Sequence, residues 1–331
     1  MKLIRKIIFV LLVLALLAGA AVFVISGAFA DLMEDPQIAE REAPPIPTEA
    51  PVEVVELPEP QPAEEPAEGT DPREITATKY FAYDLREDIF LAQQGDGDAK
   101  LYPASITKLL TCHVILQHMQ PDTEVVVGDA LNLVQYDSSV AGLVEGDKLT
   151  IEQLIAAMLL PSGNDAAQVA AVATGRAIAE DESISYTEAV EVFVEEMNRQ
   201  AQNLGMTNSH FANPDGFHHE DHYTTMNDLV KLCKTVLAEP AMLKYTSRLE
   251  ETVELADREL EWVNTNLLLD SESESYLPNT IGMKTGYTSK AGSCLISVFF
   301  MEDRILLIGV FGCPAFTEDR YLDTLAIYNS L

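Results

Sequence analysis

Positive charge is scarce in this 331-residue chain, where 21 Lys and Arg face 53 Asp and Glu for a formal net charge of −32. Nucleic-acid binding needs clustered Lys and Arg, so that balance argues against a nucleic-acid partner. Cysteine is also rare. Cys112, Cys233, Cys294 and Cys313 form no C-x-x-C pair, which removes zinc ribbons and thioredoxin-type sites. No His-Glu-x-x-His run is present. His218, His219 and His222, interleaved with Glu220 and Asp221, follow Pro214 and Gly216, which favour a loop over a metal-binding helix. Neither a metal nor a cofactor is expected. Apolar residues, by contrast, make up 47% of the chain, enough for a large core, which excludes wholesale disorder.

Composition divides the chain into three parts. In residues 1–30, Lys2, Arg5 and Lys6 precede an uncharged run of 24 residues, Ile7 to Ala30. A helix of about 20 apolar residues spans a bilayer, and the basic flank stays inside. A retained membrane anchor is the preferred reading, and Ala28-Phe29-Ala30 leaves a cleaved signal open. Both place the remainder on the extracytoplasmic side, secreted if the signal is cleaved. Residues 31–74 hold ten of the 17 prolines and 14 acidic residues against Arg41 and Arg73. Pro donates no hydrogen bond and like charges repel, so this segment is read as an extended, disordered linker. Residues 75–331 are then the folded unit. Outside the cytosol its four cysteines have three possible pairings, with free buried thiols the alternative for Cys112 and Cys294 in apolar runs.

The pattern predicts an α/β domain. Lys79–Tyr83 and Ile89–Leu91 read as short strands about a turn. Ser105–Met119 reads as a helix apolar nearly all round, hence buried. Helices are also predicted over Thr150–Leu160, opened by a capping Thr, over Ala-rich Asn164–Ala179, and over Tyr186–Leu204, ended by Gly205. Cys294–Met301 and Arg304–Phe311 form a hairpin, and Glu318–Leu331 a closing helix. Strands at both ends imply one antiparallel sheet, flanked by helices, with an inserted, mainly helical lobe. Trp262, the one tryptophan, is expected to pack near that sheet.

Three short motifs carry the chemistry. In Pro103-Ala104-Ser105-Ile106-Thr107-Lys108, Ser and Lys three apart share one helix face. A serine hydroxyl needs a base, and a buried lysine with a lowered pKa can be one. The helix start offers N–H groups to a developing oxyanion. The apolar flank Leu109, Leu110, Val114, Ile115 and Leu116 makes an idle lysine costly there. Ser162-Gly163-Asn164 lies between two predicted helices, where its hydroxyl can relay a proton and its amide can hold a carbonyl; loop capping is the bland reading. In Lys284-Thr285-Gly286, Lys and Thr suit a carboxylate and Gly admits a close backbone approach; an edge strand with a protective Lys is the alternative.

In this order the motifs resemble the serine penicillin-recognising enzymes. The longer runs Pro161-Ser162-Gly163-Asn164-Asp165-Ala166-Ala167 and Gly282-Met283-Lys284-Thr285-Gly286-Tyr287-Thr288 resemble the D-alanyl-D-alanine carboxypeptidase family, peptidase family S11. So do Asn198 with Leu204-Gly205-Met206, Phe211-Ala212-Asn213-Pro214-Asp215-Gly216, and Ala291-Gly292-Ser293-Cys294. The resemblance covers about residues 75–331 and implies a β-lactamase/transpeptidase-like fold. It implies a serine-type carboxypeptidase that trims the terminal D-alanine of peptidoglycan stem peptides through an acyl-enzyme and is acylated by β-lactams. Ser105 would be the nucleophile, Lys108 its base and Ser162 the proton relay to the leaving D-Ala, with Lys284 supporting that relay. Asn164 would hold the substrate amide, the N–H groups of Ser105 and Tyr287 the oxyanion, and Thr285 the terminal carboxylate. Arg320, loosely spaced after Gly312 and Phe316, matches a carboxylate-binding arginine.

Two departures bear on this. The acidic stretch Asp270–Asn279 is longer than the family's approach to Lys-Thr-Gly, which would alter substrate access. Many members also carry a C-terminal β-domain with a membrane helix, whose place the N-terminal anchor would take. The alternatives are a β-lactamase-like hydrolase and a non-catalytic, tethered wall-binding protein. The first lacks its deacylating Glu-x-x-Leu-Asn, since Val194 stands four before Asn198; intact Ser105 and Lys108 argue against the second.

Overall fold

The computed structural model describes residues 74–301, 304–315 and 317–331. The expected anchor and nearly all of the expected linker therefore lie outside the described residues. Among the described residues no helix is long and apolar enough to cross a membrane.

The two ends of the domain meet in one sheet. Strands β1 (Lys79–Asp84) and β2 (Ile89–Gln94) come from the start, and β7 (Thr280–Thr288), β8 (Gly292–Phe300) and β9 (Ile305–Cys313) from the end. Their order is β2-β1-β9-β8-β7 and every pairing is antiparallel. The junction is β1 on β9, with Tyr80 opposite Val310 and Ala82 opposite Ile308. In β8 and β9, side chains at alternate positions enter different apolar clusters: Ile296, Val298 and Leu307 go to one, Leu295, Phe299, Leu306 and Ile308 to the other. That two-residue period with no polar face is what a doubly covered sheet demands.

Between these strands lie α1 (Lys108–His118), β3 (Glu124–Val126), β4 (Lys148–Thr150), α2 (Ile151–Leu159), α3 (Asn164–Ala179), α4 (Tyr186–Asn203), α5 (Met226–Leu237), α6 (Pro240–Thr246), β5 (Glu250–Glu254) and β6 (Glu259–Val263). Helix α7 (Asp319–Asn329) closes the chain. It covers one face of the sheet through Tyr321, Ile327 and Tyr328. The other face meets α1 and the helical lobe, as in the predicted architecture. Helix α1 buries every residue from Lys108 to Ile115, so it is the lobe's central rod. Reciprocal caps fix the starts of two helices: Thr150 with Gln153 at α2 and Ser185 with Glu188 at α4.

Six elements escaped the sequence reading. The two-stranded sheets β3–β4 and β5–β6 have short strands with mostly exposed residues, so neither shows a long apolar run. Helices α5 and α6 have clearer signals: Thr225 accepts from the Asp228 N–H to cap α5, and Pro240 opens α6.

The first described residues are tied to the last helix by one buried carboxylate. Asp323 accepts hydrogen bonds from Thr76 N (3.0 Å), Thr76 Oγ1 (2.8 Å) and Ala77 N (2.8 Å). Removing an acceptor from buried donors strands all of them. Asp323→Ala should therefore lower unfolding stability by about 2–3 kcal/mol, read by urea denaturation.

Candidate active site

Ser105 sits in a 3-10 turn, Ala104–Thr107, that leads into α1. The residue before it, Ala104, has φ 49°, a left-handed strain that only firm surroundings sustain. Those surroundings are two glycine-bearing segments. Gly216 has φ +84°, and a Cβ there would stand 1.9 Å from Ala104 O. A Cβ on Gly286 of β7 would stand 3.0 Å from Pro103 O and 3.1 Å from Ser105 N. Both backbones press on the serine turn because neither glycine carries a side chain.

Lys108 Nζ donates to Ser105 Oγ (2.9 Å), Asn164 Oδ1 (2.7 Å) and Asp215 O (2.8 Å). All three ammonium donors are thus engaged. The side chain is wholly out of solvent, and burial lowers its pKa to about 8 against the opposing pull of Asp215. Asp215 is itself fixed: Gln168 Nε2 donates to Oδ2 (2.8 Å) and Phe217 N to Oδ1 (2.8 Å).

Ser162 and Asn164 come from the turn between α2 and α3. Ser162 has φ 65°, again left-handed for a residue with a side chain. Asn164 N donates to Ser139 O (2.8 Å) and Ser139 Oγ to Ser162 O (3.2 Å), so segment 137–143 lies along this turn. Asp165 holds it further, accepting from Ala141 N (2.8 Å), Gly142 N (3.0 Å) and Leu143 N (3.1 Å). Trp262 also fastens this segment: it lies on β6, and its Nε1 donates to Ala141 O (2.9 Å).

Strand β7 is a sheet edge, as the alternative reading of Lys284 supposed, but its lysine does not point to solvent. Lys284 is 1% exposed and its Nζ has no hydrogen-bond partner. Burial, with Lys108 and Arg320 nearby, holds its pKa well below the ordinary lysine range. Thr285 Oγ1 shares a 2.5 Å hydrogen bond with Thr265 Oγ1, and Tyr321 OH donates to Thr265 O (2.6 Å). Arg320 opens α7, its guanidinium 4.8 Å from the Tyr321 ring and its Nε buried without a partner.

These side chains surround one cleft of about 720 Å³, to whose walls Ser105, Ser162, Asn164, Thr285 and Gly286 contribute, together with Tyr287 and Arg320. Lys108 and Lys284 lie buried beside them. The nine residues singled out from sequence therefore converge on one place. The acidic stretch Asp270–Asn279 supplies none of the residues that line the cleft.

The sequence reading missed the supports. Asp215, Gln168 and Asp165 look like ordinary polar residues until the fold buries them. His222, weighed for metal, instead braces the serine turn. Its Nε2 lies 2.7 Å from Thr107 Oγ1 and its Nδ1 accepts from Ala212 N (3.1 Å). Burial lowers its pKa to about 3, so it remains neutral and Nε2 carries the proton. Among the described residues no group of His, Cys, Asp and Glu is arranged to hold a metal ion. All four cysteines are free and buried.

A family model described as D-alanyl-D-alanine carboxypeptidase matches residues 65–314. The chain belongs to the D-alanyl-D-alanine carboxypeptidase family. D-alanyl-D-alanine carboxypeptidase DacF of Bacillus subtilis is 31% identical over 205 residues, 60% of this chain and 48% of that protein. The D-alanyl-D-alanine carboxypeptidase of Streptomyces sp. strain K15 is 33% identical over 213 residues, 60% of this chain and 68% of that protein. The match thus spans about half the length of the Bacillus relative. The crystal structure of the Streptomyces K15 DD-transpeptidase superposes with a TM-score of 0.69 at 27% identity, covering 78% of this chain and 98% of that one.

In this carboxypeptidase-family chain the close approach at Gly216 is testable by stability alone. Gly205 also has a positive φ, 76°, but a Cβ there meets nothing nearer than Lys231 Cδ at 3.9 Å. Gly205→Ala should cost about 1 kcal/mol, the backbone strain by itself. Gly216→Ala should cost at least about 3 kcal/mol, because the serine turn must move. Denaturant unfolding of the two variants side by side checks the difference.

Proposed function

We propose that this protein is a serine D-Ala-D-Ala carboxypeptidase that removes the terminal D-alanine of peptidoglycan stem peptides and is acylated by β-lactams. The observation that carries the reading is the 2.9 Å contact between Lys108 Nζ and Ser105 Oγ, in a cleft that also holds Thr285 and Arg320. Family membership supports it.

The chemistry follows from the hydrogen bonds. A pKa of about 8 leaves roughly one molecule in ten with a neutral Lys108 at pH 7. The neutral amine keeps two N–H donors for Asn164 Oδ1 and Asp215 O. Its lone pair is then left facing the Ser105 hydroxyl. Lys108 takes that proton as Oγ bonds to the carbonyl carbon of the penultimate D-Ala. The N–H groups of Ser105 and Tyr287 hold the oxyanion, with Gly286 admitting the close approach. The tetrahedral species collapses as the leaving nitrogen receives a proton through Ser162, drawn from the Lys108 ammonium. Lys284, adding positive potential, favours that transfer. Asn164 holds the substrate amide, and Thr285 with Arg320 holds the terminal carboxylate. Water then attacks the acyl ester, Lys108 again accepting a proton, and Ser105 is restored.

The reading extends to location. The apolar run Ile7–Ala30 behind Lys2, Arg5 and Lys6 holds the chain in the cell membrane, with the catalytic domain at the extracytoplasmic face. Residues 31–74 act as the spacer, the wall peptide is the partner, and nucleic acid is not.

A penicillin adduct mapped by mass spectrometry should fall on Ser105, and Ser105→Ala should lose both the adduct and about 10⁴-fold or more of D-Ala release. An adduct elsewhere overturns the assignment. The pH dependence has a definite sign. The lowered Lys108 pKa means the active amine forms as pH rises, so acylation should increase with pH and level off above about 8. Lys108→Arg, which cannot shed its proton, should abolish that rise.

A further inference from the structure

Gln168 is buried, and its side-chain oxygen has no hydrogen-bond partner. Buried polar atoms are nearly always paired, so an orphan acceptor needs a reason. The reason lies at the other end of the same amide. Nε2 donates to Asp215 Oδ2 (2.8 Å), and turning the amide over would set its oxygen against a carboxylate. The amide is thus oriented for Asp215 and leaves its own acceptor bare. Gln168 does not itself line the cleft, so its effect on the reaction passes through Asp215.

Asp215 needs holding because of where it stands. Its backbone oxygen accepts from Lys108 Nζ (2.8 Å), while its carboxylate accepts from two other donors, Gln168 Nε2 and Phe217 N (2.8 Å). The loop around it is pinned: Thr111 Oγ1 of α1 donates to Pro214 O (2.6 Å), and Gly216 N to Asn213 Oδ1 (2.8 Å). Gln168 follows Asn164 by four residues on α3, so the two share one face. That face gives the amine an acceptor, Asn164 Oδ1 (2.7 Å), and gives the carboxylate a donor. Burial lowers the Lys108 pKa; against it act Asp215, Cys112 and Asp165, in that order. The Asp165 carboxylate is taken up by N–H groups of residues 141–143, and burial pushes the Cys112 thiol up to about 12, so it stays uncharged. Lys284 on β7 and His222 are also within reach of the Lys108 charge, but neither can attract an ammonium. Asp215 is therefore the carboxylate able to lock the proton on the amine.

We propose that Gln168 is a positioning residue for the reaction: by holding the Asp215 carboxylate against α3, it keeps that charge off the Lys108 amine and leaves the amine free to take the Ser105 proton. Without Gln168 the carboxylate loses one of its two donors and is drawn to the ammonium, an opposite charge that favours the protonated form. The inference rests on the carboxypeptidase reading and adds to it the residue that sets the pH at which the base is active.

The rate of penicillin acylation at Ser105, followed against pH on the full chain, tests this. Gln168→Leu removes the donor and Gln168→Met also keeps the side chain's length; neither adds a charge. A raised Lys108 pKa delays the active amine, so each should move the midpoint of the pH rise up by about one unit, the lower end of the effect of a nearby opposite charge. At pH 7 acylation should then fall about tenfold, while the plateau at high pH stays within about twofold. Asp215→Asn should move the midpoint down, because the opposing pull is gone, and Gln168→Leu added to it should cause no upward shift. The midpoint comes from a rate constant per labelled site, so it does not depend on how much of a preparation folds. A midpoint left in place or lowered by either Gln168 variant, or an upward shift that persists with Asp215→Asn, overturns the inference while the carboxypeptidase reading stands. No acylation of the parent at any pH overturns both.

Discussion

The site depends on keeping an amine inside a protein. Lys108 is fully buried on a helix whose other inward positions are mostly apolar, and an ammonium left bare there would be very costly. Its three acceptors, Ser105 Oγ, Asn164 Oδ1 and Asp215 O, come from three parts of the chain, and together they make the burial tolerable. The balance is deliberately incomplete. Two of the acceptors are neutral carbonyl oxygens and the third a hydroxyl, so the amine is solvated without being locked as a cation. A carboxylate in direct contact would pin the proton in place. Here the nearest carboxylate, Asp215, offers its backbone oxygen instead, while its charged oxygens bond to Gln168 and Phe217.

The same constraint explains the backbone strain around the cleft. Ala104 and Ser162 have left-handed φ values without being glycine, and each stands at or next to a residue of the site. Ala104 is held there because Gly216 and Gly286 pack on its turn. Each wall is thus set by a contact from a distant part of the sequence, and the alignment of Ser105 depends on the closed sheet. The β1–β9 pairing and the Asp323 clasp on Thr76 and Ala77 belong to that closure.

Much of this was legible in the sequence, for identifiable reasons. The long helices α1, α3 and α4 and the β8–β9 hairpin are periodic over many residues, and the structure places each within a few residues of its expected span. The motif residues were legible because Ser, Lys and Asn at short spacing have few other uses beside an apolar core. The supports were not legible. Asp165 reads as the residue after Asn164 and becomes a brace only when three N–H groups of segment 141–143 arrive from a separate part of the chain. Trp262 was expected near the main sheet and is buried in the cluster that covers one of its faces, but its hydrogen bond to Ala141 was not legible, because it comes from a two-stranded hairpin too short and exposed to show in hydropathy. His222 had the composition of a metal ligand and the burial of a structural pin.

The buried cations beside the cleft also set its electrostatics. Lys284 is buried beside Lys108 and Arg320, and positive neighbours raise the cost of each cation there. An anion relieves that strain, so the cleft is biased toward a carboxylate. The Lys108 pKa is lowered by burial, against the opposing pull of Asp215, and the Lys108 charge in turn helps to lower that of Lys284. In the proposed reaction a carboxylate bound near these amines would raise their proton affinity, at the stage when Lys108 is to collect a proton from Ser105. In the proposed reaction, departure of D-alanine with its carboxylate would remove that negative charge. Under that reading the group that identifies the substrate would also act on the base, which a neutral cleft of the same shape would not allow.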